Sequence, residues 1–186
     1  MKLSPQTTTL STLHDAHVAG CDCVQYKYTG QWVRVEISRG FIRIYDHNRQ
    51  PVDCPPNFLS APPNVCGCFI GNYLLDRSRI VLWDCWAVCG ESGGDGGQTR
   101  TVYTSIEDFG YRDRYALLAG EVKKLVGTTM EVPFTLVKNH PIARAQDLWN
   151  DDLPNICGLV LRNSKATVHT TVHVIRKYRE RPTDLA

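Results

Sequence analysis

No run of apolar residues in the chain approaches the roughly 20 that a membrane-crossing helix needs. The opening stretch, MKLSPQTTTLSTLHDAH, also lacks the apolar segment of a secretory signal. Together these absences lead to the expectation of a soluble intracellular protein without a membrane partner, resident in its own cytoplasm or in that of a host cell. Charge of one sign is scarce too: 21 Lys and Arg stand against 19 Asp and Glu, a net +2 with His neutral. So small a surplus neither demands nor excludes nucleic acid, because it can be gathered in one groove. A phosphate loop is missing as well. The segment GESGGDGGQTR holds five glycines between Gly90 and Gly97, but it has no Lys-Ser/Thr and no helical pattern directly after it, and reads as a flexible excursion.

What is present is the composition of a globular protein, 42% hydrophobic and 22% charged over 186 residues, enough for one domain with a sizeable core. No internal repeat or linker divides it. The expectation is a single domain over residues 1–186, with 1–20 and 179–186 peripheral. Eight cysteines (Cys21, Cys23, Cys54, Cys66, Cys68, Cys85, Cys89, Cys157) lie mostly in strand-like apolar stretches, where a free thiol behaves as a small hydrophobe, so reduced thiols are expected. The Cys21/Cys23 and Cys66/Cys68 pairs have one intervening residue each, where zinc sites have two or more; no zinc is expected. His14 and His17 have no third ligand nearby and carry no role.

Period-two alternation runs through CVQYKYT, QWVRVEIS and FIRIYD, broken at Gly30 and Arg39-Gly40, and predicts a three-strand meander. After a loop rich in Pro and Asn, CFIGNYLL and RIVLWDCWAV predict two further strands about a turn at Asp76 to Ser78. Tyr115, Leu118, Val122 and Leu125 place an amphipathic helix over residues 111–126. MEVPFTLVKN then reads as a strand, PIARAQDLWND as a helix opening on proline, and CGLVLR with ATVHTTVHVIRKY as a closing strand pair. The fold class is α+β, antiparallel sheet flanked by helices.

The run VQYKYTGQWVRVEISRG resembles the signature around the nucleotide-accepting lysine of ATP-dependent polynucleotide ligases, Lys-x-Asp-Gly followed by arginine and a Ser-Arg-Asn-Gly-like turn. In the same order FIGNYLL resembles the family's Asp-Gly-Glu strand, RIVLWDCWAVCG its Phe-Asp strand, YRDRYALLAGEVKK its Arg-led helix and CGLVLR its Glu-Gly-Leu-Val-Leu-Arg strand, with HVIRKY where a lysine-rich motif closes the pattern. The chain is thus similar to the covalent nucleotidyltransferases, the DNA and RNA ligases and mRNA capping enzymes. The resemblance implies a ligase adenylation-type domain without an oligonucleotide-binding domain, and a cleft between antiparallel sheets for ATP, with GTP as the alternative. It implies Lys27 as the nucleophile, and Gly30, Arg34, Arg49, Asn72, Asp84, Arg162, Arg176 and Lys177 around the nucleotide. The implied partners are DNA or RNA 5′ ends, or a protein.

Three departures bear on the chemistry. Thr29 stands where the family has Asp, Asn72 where it has Glu, and Cys157 where it has Glu. The first two offer no formal charge to Mg²⁺, and sulfur is a poor ligand for a cation that prefers oxygen. Mg²⁺ is therefore expected only if the chain is catalytic, and no protein metal ligand is assigned. A non-catalytic module for nucleic acid or protein binding is the alternative, and a diverged, cysteine-rich domain suits a viral source.

Three readings of single residues remain open. Basic residues on alternating strands can simply form the wet face. Tyr26, Tyr28, Trp32, Trp83 and Trp86 can line a base-binding cleft, but core is the favoured reading for most of them. Asp84, in an apolar strand, needs a partner, which is an arginine or a ligand.

Overall fold

The structure, a computed structural model, describes residues 7–9, 20–76, 78–93, 99–126, 133–151, 153–170 and 172–176. His14, His17, Lys177 and the side chain of Arg176 lie outside the described residues.

Alternation builds the first strands as expected. β1 is Thr7–Thr9, β2 Cys23–Tyr28, β3 Gly30–Ser38 and β4 Phe41–Tyr45. In β3 every second residue, Val33, Val35 and Ile37, is fully buried, so the core face is set by sequence period alone. The meander, however, is not one sheet. β2 pairs with a strand near the C-terminus, while β3 pairs with β4 and with β5 (Gly67–Leu74). The chain changes sheets across Thr29, whose N–H donates to the Asn155 carbonyl at 2.7 Å. Period-two alternation shows which face a residue takes but not which strand lies alongside it, which is why the sequence alone did not reveal the crossing.

β6 runs Ile80–Gly93 and pairs antiparallel with β7 (Thr99–Ser105), so the start of the glycine-rich segment is strand; residues 94–98 lie outside the described residues. α1 is Tyr111–Val126, as the spacing predicts. β8 (Phe134–Leu136), β9 (His140–Pro141) and α2 (Ala145–Asn150) follow. β10 (Ile156–Arg162) and β11 (Val172–Arg176) then close the chain as an antiparallel pair.

The order in the first sheet is β1-β11-β10-β2-β9, and in the second β4-β3-β5-β6-β7, with β8 alongside β6. Pairing is antiparallel except for β1 with β11 and β8 with β6. The larger core covers one face of the second sheet, where Val33, Val35, Phe69 and Leu82 meet Leu118, Val122 and Leu125 of α1 and Phe58 and Val65 of the Pro-rich loop. A smaller core covers one face of the first sheet, Val24, Leu159 and Leu161 against Ala145 and Leu148 of α2. Each sheet thus buries one face under its own helix. The other faces of β2, β10, β3 and β5 are left to line a cleft between the sheets.

One expectation about the cysteines is corrected. Cys66 and Cys89 form a disulfide, because Gly67 and Val88 are register partners in β5 and β6 and the adjacent positions on the paired strands come within bonding reach. Cys21, Cys23, Cys54, Cys68, Cys85 and Cys157 are free thiols. Burial raises the Cys85 thiol well above its ordinary value, and Asp84 adds to the shift.

Candidate functional site

The cleft has a volume of about 320 Å³, and Lys27, Gly30, Asn72 and Arg162 of the expected set line it. Lys27 and Gln25 come from the inner face of β2; Val160 and Arg162 from β10; Trp32, Asn72 and Trp83 from β3, β5 and β6. Gly158 is the register partner of Lys27 and Cys23 that of Arg162, which sets the two basic residues four strand positions apart, about 13 Å along β2. Between them lie the side chains of Gln25 and Val160, also register partners.

At the Lys27 end the ammonium donates to the Cys157 sulfur at 3.3 Å. Cys157 is the extra residue where the β10–β2 register shifts between Ile156 and Gly158. Gly30 meets a steric demand here. A Cβ at that position would stand 2.3 Å from the Tyr73 carbonyl oxygen, so glycine is required by the approach of β5. This local reason for Gly30 involves no ligand.

At the other end Arg162, only 6% exposed, lies between aromatic rings, with its guanidinium carbon 4.8 Å from the Trp83 centroid and 4.5 Å from that of Tyr111. Its Nη1 is 3.7 Å from Asp84 Oδ2. Its Nε–H is buried without a hydrogen-bond partner, as is the Trp32 indole N–H in the same lining. Gln25 donates from Nε2 to the Tyr111 hydroxyl at 2.5 Å. Burial pushes that phenol far above its ordinary range, against the opposing pull of the Arg162 charge.

Asp84 does not face the cleft as a free ligand. Arg114 of α1 holds it with two bonds, Nε to Oδ1 at 2.9 Å and Nη2 to Oδ2 at 3.0 Å, and also donates to the Ala166 carbonyl at 2.9 Å. The arginine partner expected for this carboxylate is therefore Arg114, and the pair ties the second sheet to the β10–β11 connection. The Asn72 side-chain oxygen accepts from the Trp83 indole at 3.0 Å, so that amide is also engaged.

Arg34 and Arg49 are placed elsewhere, lining a second pocket with Glu36, Cys68, Trp86 and Glu107. Arg34 pairs with Glu36 on its own strand, and Arg49 sits at φ 64° in the turn after β4, donating its N–H to the Asp46 carbonyl. Neither lines the Lys27 cleft. Tyr26, Tyr28, Trp32 and Trp83 are partly buried against core clusters and also line the cleft, whereas Trp86 is buried within a cluster.

Sequence reasoning missed Gln25, Tyr111 and Arg114. Gln25 shares Lys27's strand face by period two, and Arg114 stands on the buried stripe Tyr111, Arg114, Leu118, Val122, Leu125; both signals were available. The residues present do not fit a divalent cation. Among the described residues no carboxylate lines the cleft and no group of three or more His, Cys, Asp or Glu side chains comes together.

Neither a family model nor a curated protein matches the sequence. Solved structures do. A Lig E DNA ligase matches with a TM-score of 0.60 at 14% identity, over 94% of this chain and 69% of that one. A mycobacterial DNA ligase D complexed with ATP and MES matches with a TM-score of 0.63 at 12% identity, over 95% of this chain and 61% of that one. The fold is that of a DNA ligase adenylation domain. A third structure, described as Pmar-Lig, matches with a TM-score of 0.57 at 10% identity, over 94% of this chain and 47% of that one. The chain thus spans about half to two-thirds of the length of these ligases. Likeness at such identities gives the ligase fold, and the activity is argued from the cleft.

Proposed function

We propose that the chain is a nucleotide-binding module of the ligase adenylation fold, which holds a nucleoside triphosphate, ATP or alternatively GTP, in the cleft between its sheets. The observation that carries this reading is the placing of Lys27 and Arg162 at the two ends of one aromatic-walled cleft without a carboxylate among the described lining residues. Cationic side chains suit phosphate oxygens, and Trp32 and Trp83 supply faces on which a base can stack. DNA or RNA 5′ ends are the partners this fold suggests.

A second reading, nucleotidyl transfer, is favoured by the lysine in the cleft lining. The Lys27 amine would lose a proton and form a bond to the α-phosphorus, while the bond from that phosphorus to pyrophosphate breaks. The departures at Thr29, Asn72 and Cys157 weigh toward binding without chemistry.

One experiment decides between the two readings. Purified protein is incubated with α-³²P-labelled ATP or GTP and Mg²⁺ or Mn²⁺ and run on a denaturing gel, while calorimetry measures binding of the same nucleotides. Binding without label is the expected result. A labelled band that is lost in Lys27→Ala would establish the transferase reading. The absence of both binding and label from folded protein would sink the nucleotide assignment.

A further inference from the structure

The donor set of the cleft goes further than the choice of ligand. Resting on the nucleotide reading above, we propose that the cleft takes its nucleotide as the metal-free anion, with Arg162 rather than a divalent cation as the fixed positive charge.

Four observations meet here. Among the described residues, the cleft lining contains two cations and no carboxylate. The nearest buried carboxylate, Asp84, is engaged by two bonds from Arg114. The Asn72 oxygen is occupied by the Trp83 indole, and the third position where the resemblance expects an acid, Cys157, gives its sulfur to Lys27. Finally, the Arg162 side chain is 6% exposed and its Nε–H is unpartnered, in the same lining as the unpartnered Trp32 N–H.

The consequence follows from charge and coordination. Magnesium demands oxygen ligands in octahedral geometry and keeps its waters unless carboxylates or phosphates replace them. A cleft holding an ammonium and a guanidinium repels a divalent cation and favours the ligand of higher negative charge, which is the nucleotide without its metal. Arg162 is ready for that role, because the Trp83 and Tyr111 rings and the Asp84 carboxylate already hold the guanidinium in place. A ligand acceptor atom would satisfy a donor that is otherwise buried without a partner, a state that normally costs stability.

The test is calorimetric titration of the whole chain with ATP and with GTP at matched ionic strength, once with excess Mg²⁺ and once with EDTA. Affinity is expected to be tighter in EDTA by about three- to tenfold, because the ligand then carries the two negative charges that Mg²⁺ otherwise neutralises and faces two cations. Equal affinity in the two conditions, tighter binding in Mg²⁺, or binding only in Mg²⁺ overturns the inference and leaves the nucleotide reading intact. No binding of either nucleotide under either condition overturns both.

Arg162→Ala is expected to lose at least about tenfold in affinity, as for a charge-assisted hydrogen bond, together with any advantage in EDTA. Because Arg162 is buried, Trp32→Phe serves as the second variant: it keeps a ring and removes only the N–H. A folded Trp32→Phe protein is expected to bind about three- to tenfold more weakly, the effect of one neutral donor. Unchanged affinity in both folded variants would remove Arg162 and Trp32 from the site and refute the inference.

Discussion

The Lys27 ammonium and the Cys157 sulfur are 3.3 Å apart, across the irregular start of the β10–β2 ladder. The lysine of this ligase fold thus rests on a thiol at the position where the resemblance expects a carboxylate. Cys157→Glu would put a negative charge against Lys27 and neutralise one of the two cations in the cleft. Nucleotide affinity in EDTA is expected to fall by about tenfold, the effect of one charge-assisted contact, as measured by calorimetry.

Asp84 and Arg114 are 2% and 1% exposed, and two hydrogen bonds join them. Arg114→Ala would leave a buried carboxylate with the Cys85 backbone N–H and, as a charged partner, the more distant Arg162, at a cost of about 3–5 kcal/mol. Urea denaturation measures this loss, and the double variant Asp84→Leu with Arg114→Met is expected to recover only part of it, because the buried Arg162 then loses its contact with Asp84.

Gly30→Ala is expected to destabilise the fold by about 1–3 kcal/mol, as overpacking does. The added methyl would meet the Tyr73 carbonyl, a backbone atom that cannot rotate away. Thermal unfolding would show the loss, and wild-type stability in this variant would mean that β3 and β5 do not approach as closely as described.

The Cys66–Cys89 bond closes a loop with a sequence separation of 23. Cys66→Ser with Cys89→Ser is expected to lower unfolding free energy by about 2–4 kcal/mol, chiefly through the unfolded chain. The two proteins, compared in urea without reductant, give the difference directly.

Alkali should destabilise the protein through its buried thiols. Burial first, then Asp22, pushes Cys23 up to about 12, and burial, against the Arg34 charge, pushes Cys68 up to about 11, from an ordinary value of 9.0. Above pH 9 the unfolded chain has lost protons that the folded one keeps, so stability is full below that pH and falls as pH rises toward 11 and 12. Urea midpoints measured at pH 8, 9 and 10 should decline, and Cys68→Ala should make the decline shallower; a flat profile would contradict the burial of these thiols.

Much of this was legible in the sequence because it is local. Helix α1 followed from apolar residues at helical spacing, and the buried face of β3 from alternation. The ordered pieces around Lys27, FIGNYLL and CGLVLR pointed to the ligase fold, and the missing acids at Thr29, Asn72 and Cys157 are read from the residues themselves. These features depend on residue type and near neighbours, which a chain carries in its order.

The tertiary structure alone decided which residues share a cleft. Arg34 follows Lys27 closely in sequence yet lies in a different pocket, because it stands further along β3 than Gly30 and Trp32, the residues of that strand that line the cleft. Arg162, far away in sequence, reaches Lys27's cleft through the β10–β2 ladder. Asp84 received its arginine from a helix on another layer, and Cys66 met Cys89 only through the β5–β6 register. Strand pairing and register are long-range choices, fixed by burying both sheets' outer faces at once, and no local pattern encodes them.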